Sequence, residues 1–201
     1  MRISLTQVLN VISKTSLSKL KKVDSVLVQV SCDYSPAQDY YGDLKRALVM
    51  MHKSGHQKNY LDASLWRVNE KKLPKYLERI SKYKKWMGRK VFTWIDPPKA
   101  TYSKFGLDVN VAPELGLMID GRLVFIKLYF NDDPIDSNSY KMICALMRKV
   151  HGAQYPGADF AVMDVKKGSL QKSSSEMDED FIDLLNLELQ YISGLFKKRA
   201  A

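Results

Sequence analysis

Two β-forming runs meet at Asp120-Gly121. Residues 107–119, LDVNVAPELGLMI, and 122–130, RLVFIKLYF, are rich in branched and aromatic side chains, with only that dipeptide between them. A two-residue Asp-Gly loop flanked by such runs predicts a β-hairpin with a type I′ turn. No other feature constrains the fold as much, because so short a loop fixes the register. Ile119 must face Arg122, Met118 Leu123, Leu117 Val124, Gly116 Phe125, Leu115 Ile126, and Glu114 Lys127. Side chains alternate across a strand. One face therefore carries Leu115, Leu117, Ile119, Val124, Ile126 and Leu128, an apolar core face. The other carries Glu114, Gly116, Met118, Leu123, Phe125, Lys127 and Tyr129, a mixed set expected to be half-exposed. Asn110 and Asp108 extend that second face if Pro113 does not interrupt the strand.

Helical and strand-like segments surround the hairpin. Residues 4–20 space Leu5, Val8, Leu9, Ile12, Leu17 and Leu20 as a helix does, with a break near Lys14-Thr15. Residues 25–31, SVLVQVS, read as a short strand or stiff connector. Ser35-Pro36 is a helix start, with Ser35 as N-cap and Pro36 in the first turn, for a helix running to about His52. A second helix is marked by Leu73, Tyr76, Leu77, Ile80, Tyr83 and Met87, with Pro74 in its first turn and Gly88 at its end. Strand-like residues 90–95 precede the hairpin. A helix over about 136–150, a strand over 159–165 and a helix from about 178 to 198 follow it. The order predicts an α+β (or α/β) fold: a mixed β-sheet with a central hairpin, flanked by helices and preceded by a helical N-terminal region. Residues 1–88 form the mainly helical part and 89–201 the sheet-containing core with its C-terminal helix, together one compact unit.

The chain's charge is concentrated. Residues 67–90 hold ten Lys/Arg against two acids, a net +8 of the chain's +10. Lys71, Lys75, Arg79, Lys82, Lys85 and Arg89 recur every three or four residues, so they form one stripe of the 73–87 helix. A basic stripe with an interleaved aromatic, here Trp86, is a footprint for a polyanion: cations neutralise phosphates and an indole can stack on a base. Nucleic acid is the expected partner; an acidic protein docking on the same stripe is the alternative. Cys32 and Cys144 are too few and too far apart for a disulfide framework or a zinc site, which fits a reducing, cytoplasmic setting. No run approaches the roughly 18 apolar residues of a membrane span, and the N-terminus lacks the apolar segment of a signal peptide.

Glu114 opposite Lys127 reads in two ways. It is a cross-strand ion pair, or it is an acid and a lysine held together where a carboxylate binds Mg²⁺ and an ammonium stabilises phosphate charge. The order helix, three strands, helix, strand, with Pro113-Glu114 and then Phe125-Ile126-Lys127, resembles the core of the PD-(D/E)xK nuclease superfamily. In that family an acid on the second strand and an acid-x-Lys on the third build a Mg²⁺ site. The resemblance covers about residues 88–165 and implies Mg²⁺-dependent phosphodiester cleavage, with Glu114 on the metal and Lys127 on developing charge; Asp108 is a further candidate ligand. The motif is incomplete, because Phe125 stands where the family has its second acid. Either the metal site is lost, leaving a degenerate nuclease fold or a non-enzymatic interaction subunit, or another carboxylate such as Asp164, Asp39 or Asp43 replaces the missing one.

Further candidates are the Tyr- and Asp-rich helix near residue 40, with Asp39 or His52 as acid or base, and the His52/His56 pair at helical spacing. The first equally describes an amphipathic helix with buried tyrosine rings. The second has Gly55 between its members and no third ligand, so zinc is not expected. Gly-rich phosphate loops and nucleophile triads have no signature in the chain.

Overall fold

The computed structural model describes residues 1–31 and 39–200. The expected helix start at Ser35-Pro36 lies outside them. The chain opens with a short strand, β1 (Arg2–Ser4), and two helices, α1 (Leu5–Ile12) and α2 (Ser16–Ser31). Ser4 caps α1 in a reciprocal capping box with Gln7, so the start of this helix is fixed locally. The break near Lys14-Thr15 is present. The segment 25–31 is helical, not extended. Val23, Val26, Leu27 and Val30 recur at helical spacing along α2 and pack into one core, and that burial overrides their β propensity.

Three further α-helices precede the five-stranded sheet among the described residues: α3 (Gly42–Lys53), α4 (Tyr60–Ala63), which runs into a 3-10 turn (Ser64–Arg67), and α5 (Leu73–Met87). Pro74 sits in the first turn of α5, and Gly88 ends it at a φ of 53°. Then come β2 (Phe92–Trp94), β3 (Ala100–Lys104), β4 (Leu107–Val111), β5 (Leu115–Ile119), β6 (Arg122–Tyr129), α6 (Ser137–His151), β7 (Asp159–Asp164), β8 (Ser169–Lys172) and α7 (Asp178–Ala200).

The strands form two sheets, one of five in the order β2-β5-β6-β7-β8 and one of three in the order β1-β4-β3. The hairpin has the expected register, from Ile119 opposite Arg122 to Leu115 opposite Ile126. Asp120 and Gly121 take φ values of 50° and 78°, as a type I′ turn requires. The run 107–119 is not one strand. It breaks at Ala112-Pro113, where proline supplies no ladder N–H, and its first half leaves as β4 for the other sheet. There β4 pairs with β3 across a second two-residue turn, Phe105-Gly106, and with β1 in parallel. Helix α6 crosses from β6 to the parallel neighbour β7.

Both faces of the five-stranded sheet are buried. Leu115, Leu117, Val124, Ile126 and Leu128 pack with Ala161 and Met163 beneath α3, α4 and α5. Phe125, Tyr129, Phe160 and Val162 pack on the other side with α1, α2, α6, α7 and β4. The second hairpin face, expected to be half-exposed, is thus a core in its own right. The result is an α+β fold with a mixed sheet between helical layers. Gly116 shows how closely the parts meet, since a Cβ there would lie 2.2 Å from the carbonyl oxygen of Ile95. Among the described residues, no helix is long and apolar enough to cross a membrane.

Candidate nucleic-acid interface and the buried ion pair

Helix α5 presents its cations unevenly. Its apolar stripe buries Tyr76, Ile80, Tyr83 and Met87 against the sheet. Lys71, Lys75, Lys82, Lys85 and Arg89 are exposed along or beside it. Among the described residues, Lys71, Lys82, Lys85 and Arg89 have no carboxylate partner, whereas Lys75 lies 2.5 Å from Asp132.

Arg79 departs from its expected place. It is fully buried. Its guanidinium donates to the Phe130 carbonyl at 3.1 and 3.3 Å, to Asp132 at 2.6 Å and to the Lys75 carbonyl at 3.2 Å. It also lies over the Tyr41 ring, 4.5 Å from the centroid, while Tyr41 stacks on Phe130. Arg79 therefore clamps α5 to the end of β6 instead of facing phosphate. The Lys75 and Arg79 hydrogen bonds hold the Asp132 carboxyl down at about 2. The helical spacing of Arg79 matches its lysine neighbours, so only its contacts distinguish it.

Trp86 is half-buried, with its indole tilted against Tyr83 and Phe92 and Lys90 5.5 Å from its ring centroid. It borders a depression of about 270 Å³ at the hairpin tip. Arg122 and Lys172 rim that depression, two cations brought there by the hairpin and by β8. Arg122 follows directly from the predicted turn, but nothing local in the sequence brings Lys172 to Trp86.

The hairpin places Glu114 and Lys127 together, and deeper than expected. Lys127 is 3% exposed. Its ammonium donates to Glu114 Oε1, while Glu114 Oε2 accepts from the Leu128 amide at 2.8 Å. Both carboxylate oxygens are thus engaged. Phe125, two residues before Lys127, is fully buried, its ring against Tyr155 and Phe160. The other candidate carboxylates have partners of their own. Asp164 is buried at the end of β7, opposite Tyr129, and accepts from the Lys167 amide at 2.9 Å, capping the turn to β8. Asp39 pairs with Lys45 at 3.1 Å, and Asp43 pairs with Arg46. Asp108 does not continue the Glu114 face. The break at Pro113 puts it on β4, exposed, where it accepts from the Ser103 hydroxyl at 2.6 Å. Among the described residues no group of three or more His, Cys, Asp or Glu side chains could hold a metal ion. A hard divalent cation needs several free oxygen ligands. A single carboxylate, with each oxygen already engaged by an ammonium or an amide, does not supply that set, and no metal-dependent step is derived from these residues.

The ion pair and the basic stripe also lie on opposite sides of the sheet. Lys127 falls between Phe125 and Tyr129 on the side of α6, and α5 covers the other side.

His52 is buried, hydrogen-bonded to the Tyr83 hydroxyl at 2.8 Å, and lowered to about 4 by burial. With Nε2 taken by Tyr83, and with His56 stacked on Tyr60, the two histidines do not converge on a common ion. His52 does line an open depression of about 490 Å³ between α3, the loop at 55–59 and β2. The Tyr41 and Tyr76 hydroxyls are raised to about 12, chiefly by burial.

No family model and no curated relative matches the chain. Its fold does match solved structures. One is a protein from Eubacterium rectale provisionally described as an exonuclease, with a TM-score of 0.51 at 10% identity over 98% of this chain and 82% of that one. At that identity the likeness is one of fold alone.

Proposed function

We propose that this protein binds the phosphate backbone of nucleic acid through the exposed face of α5, on a degenerate PD-(D/E)xK scaffold that no longer cleaves. The carrying observation is the cationic face: Lys71, Lys82, Lys85 and Arg89 are exposed and unpaired among the described residues. Backbone contacts of this kind position a protein without reading sequence. The occupied oxygens of Glu114 and the buried Phe125 support the loss of hydrolysis, as does the placement of the pair across the sheet from α5. The likeness in fold to a protein provisionally described as an exonuclease favours nucleic acid as the polyanion.

Salt titration of binding to DNA and RNA tests this. Four phosphate contacts give a slope of log affinity against log salt of about −3 to −4. Replacing the four cations by Ala should flatten it. Salt-independent binding would overturn the proposal. So would Mg²⁺-dependent degradation that disappears in Glu114→Ala and Lys127→Ala, since it would restore a working metal centre.

A further inference from the structure

The C-terminal end of α5 carries more than charge. Two depressions flank it, and Lys90 lines both. The first has Met51 and Phe92 as apolar wall, with the side chains of His56, Gln57 and Asn59 along its exposed edge. The second has Ile119, Val124 and Leu170 as floor and Trp86 as wall, with Arg122 and Lys172 on the rim beside a single acid, Asp120. Lys172 is partly neutralised by Asp159 at 2.7 Å, but Arg122 has no carboxylate partner among the described residues. Trp86 and Phe92 are in ring contact, so one aromatic pair forms the partition between the two spaces.

We propose that these adjoining depressions take two unpaired bases of a single-stranded nucleic acid, with Lys90 holding the phosphate between them. This deepens the phosphate-backbone reading above and rests on it. The chemistry selects the occupant. A duplex keeps its bases stacked inside and offers a protein phosphates and groove edges, so the apolar floors and the Trp86 wall would gain nothing from it. An unpaired base has a free π-face and buries it on an aromatic or aliphatic surface, and its edge finds donors and acceptors such as the amides of Gln57 and Asn59. Lys90 and Arg122 offer positive charge to the backbone around recessed bases. The exposed lysines of α5 then continue the electrostatic track beyond the two base sites.

The test is fluorescence anisotropy on the full chain with a labelled single-stranded DNA, the same sequence as RNA, the matching duplex, and a strand of equal length with abasic sugars. Each base stacked on an aromatic side chain adds roughly 5- to 150-fold. The normal single strands should therefore bind at least about 5-fold tighter than the abasic strand and the duplex. Trp86→Leu, which alters one of the two sites, should reduce that preference at least several-fold. The DNA and RNA strands separate the two sources of unpaired bases, and preference for either supports the proposal. If the abasic strand binds as tightly as the normal one with the same salt slope, the base sites are refuted and the backbone reading stands. Should nothing bind in a salt-dependent way, both fall. Trp86 also packs on Tyr83 and Phe92, so the wild-type comparison of normal and abasic strands decides the matter even if the variant is unstable.

Discussion

The Glu114–Lys127 pair offers a quantitative test of whether the hairpin carries structure or chemistry. Lys127 is 3% exposed and, among the described residues, its one charged partner is Glu114. Glu114→Gln keeps an oxygen for the Leu128 amide but leaves the ammonium facing a neutral group. Breaking one side of a buried pair in this way costs about 3 kcal/mol, the lower end of the range for uncompensated buried charge. Lys127→Met leaves a carboxylate that still accepts from Leu128 at 2.8 Å, so its cost is about 2 kcal/mol. The double variant has no charge to strand. Gln accepts from the Leu128 amide and Met fills the lysine channel, so it should lose no more than about 2 kcal/mol, a coupling of about 3 kcal/mol. Equilibrium urea unfolding of the four proteins measures each term. Nucleic-acid affinity of the double variant should equal that of the wild type, because α5 lies across the sheet. Single-variant costs below about 1 kcal/mol that simply add would refute this reasoning, since that is how an exposed pair behaves.

Burial of His52 gives stability a pH dependence. A histidine whose pKa falls to about 4 in the folded chain contributes stability that is complete above its unfolded value near 6.5. It is lost as pH drops through that window, by an amount on the order of 3 kcal/mol at pH 4. His52→Gln should flatten the urea midpoint between pH 6.5 and 4; an unchanged profile would show that other groups set it. Gly116→Ala places a Cβ 2.2 Å from the Ile95 oxygen, so β2 must move. The expected cost exceeds about 2 kcal/mol, read as a lower thermal midpoint, and a neutral effect would mean that the edge strand yields freely.

Local signals in the chain made the fold legible where the chemistry is local. The Asp120-Gly121 turn fixed every pair of its hairpin, and Pro74 and Gly88 bounded α5. Where tertiary contacts decide, the reading failed. Val26 and Val30 favour a strand on their own, but the core beside α2 receives them as a helical face. Pro113 marks a possible interruption of the strand. It is in fact the point where the chain changes sheets, which depends on β1 and β3 being present to receive β4. Arg79 has the spacing of a surface cation and the contacts of a core residue, because the Phe130 carbonyl and Asp132 arrive from a distant segment. The juxtaposition of Glu114 and Lys127 was readable from register alone. Their depth was not, since the helices covering that face lie elsewhere in the sequence.

The same burial explains why the missing acid and the ion pair belong together. At position 125 a carboxylate would replace a ring packed on Tyr155 and Phe160, in a fully buried and largely apolar setting, a placement that costs several kcal/mol unless it is paired. A metal at Glu114 would share its oxygens with the Leu128 amide and meet the repulsion of the Lys127 ammonium. Each change alone is unfavourable, so a cleaving centre is not one substitution away. It requires the α6 side of the sheet to open. The exposed face of α5 is free of that constraint: its apolar stripe and the Arg79 clamp hold it on the other side, and its lysines face outward whatever occupies the hairpin. Binding at that face therefore does not depend on any chemistry at the hairpin, which is why polyanion recognition is the property its residues support best.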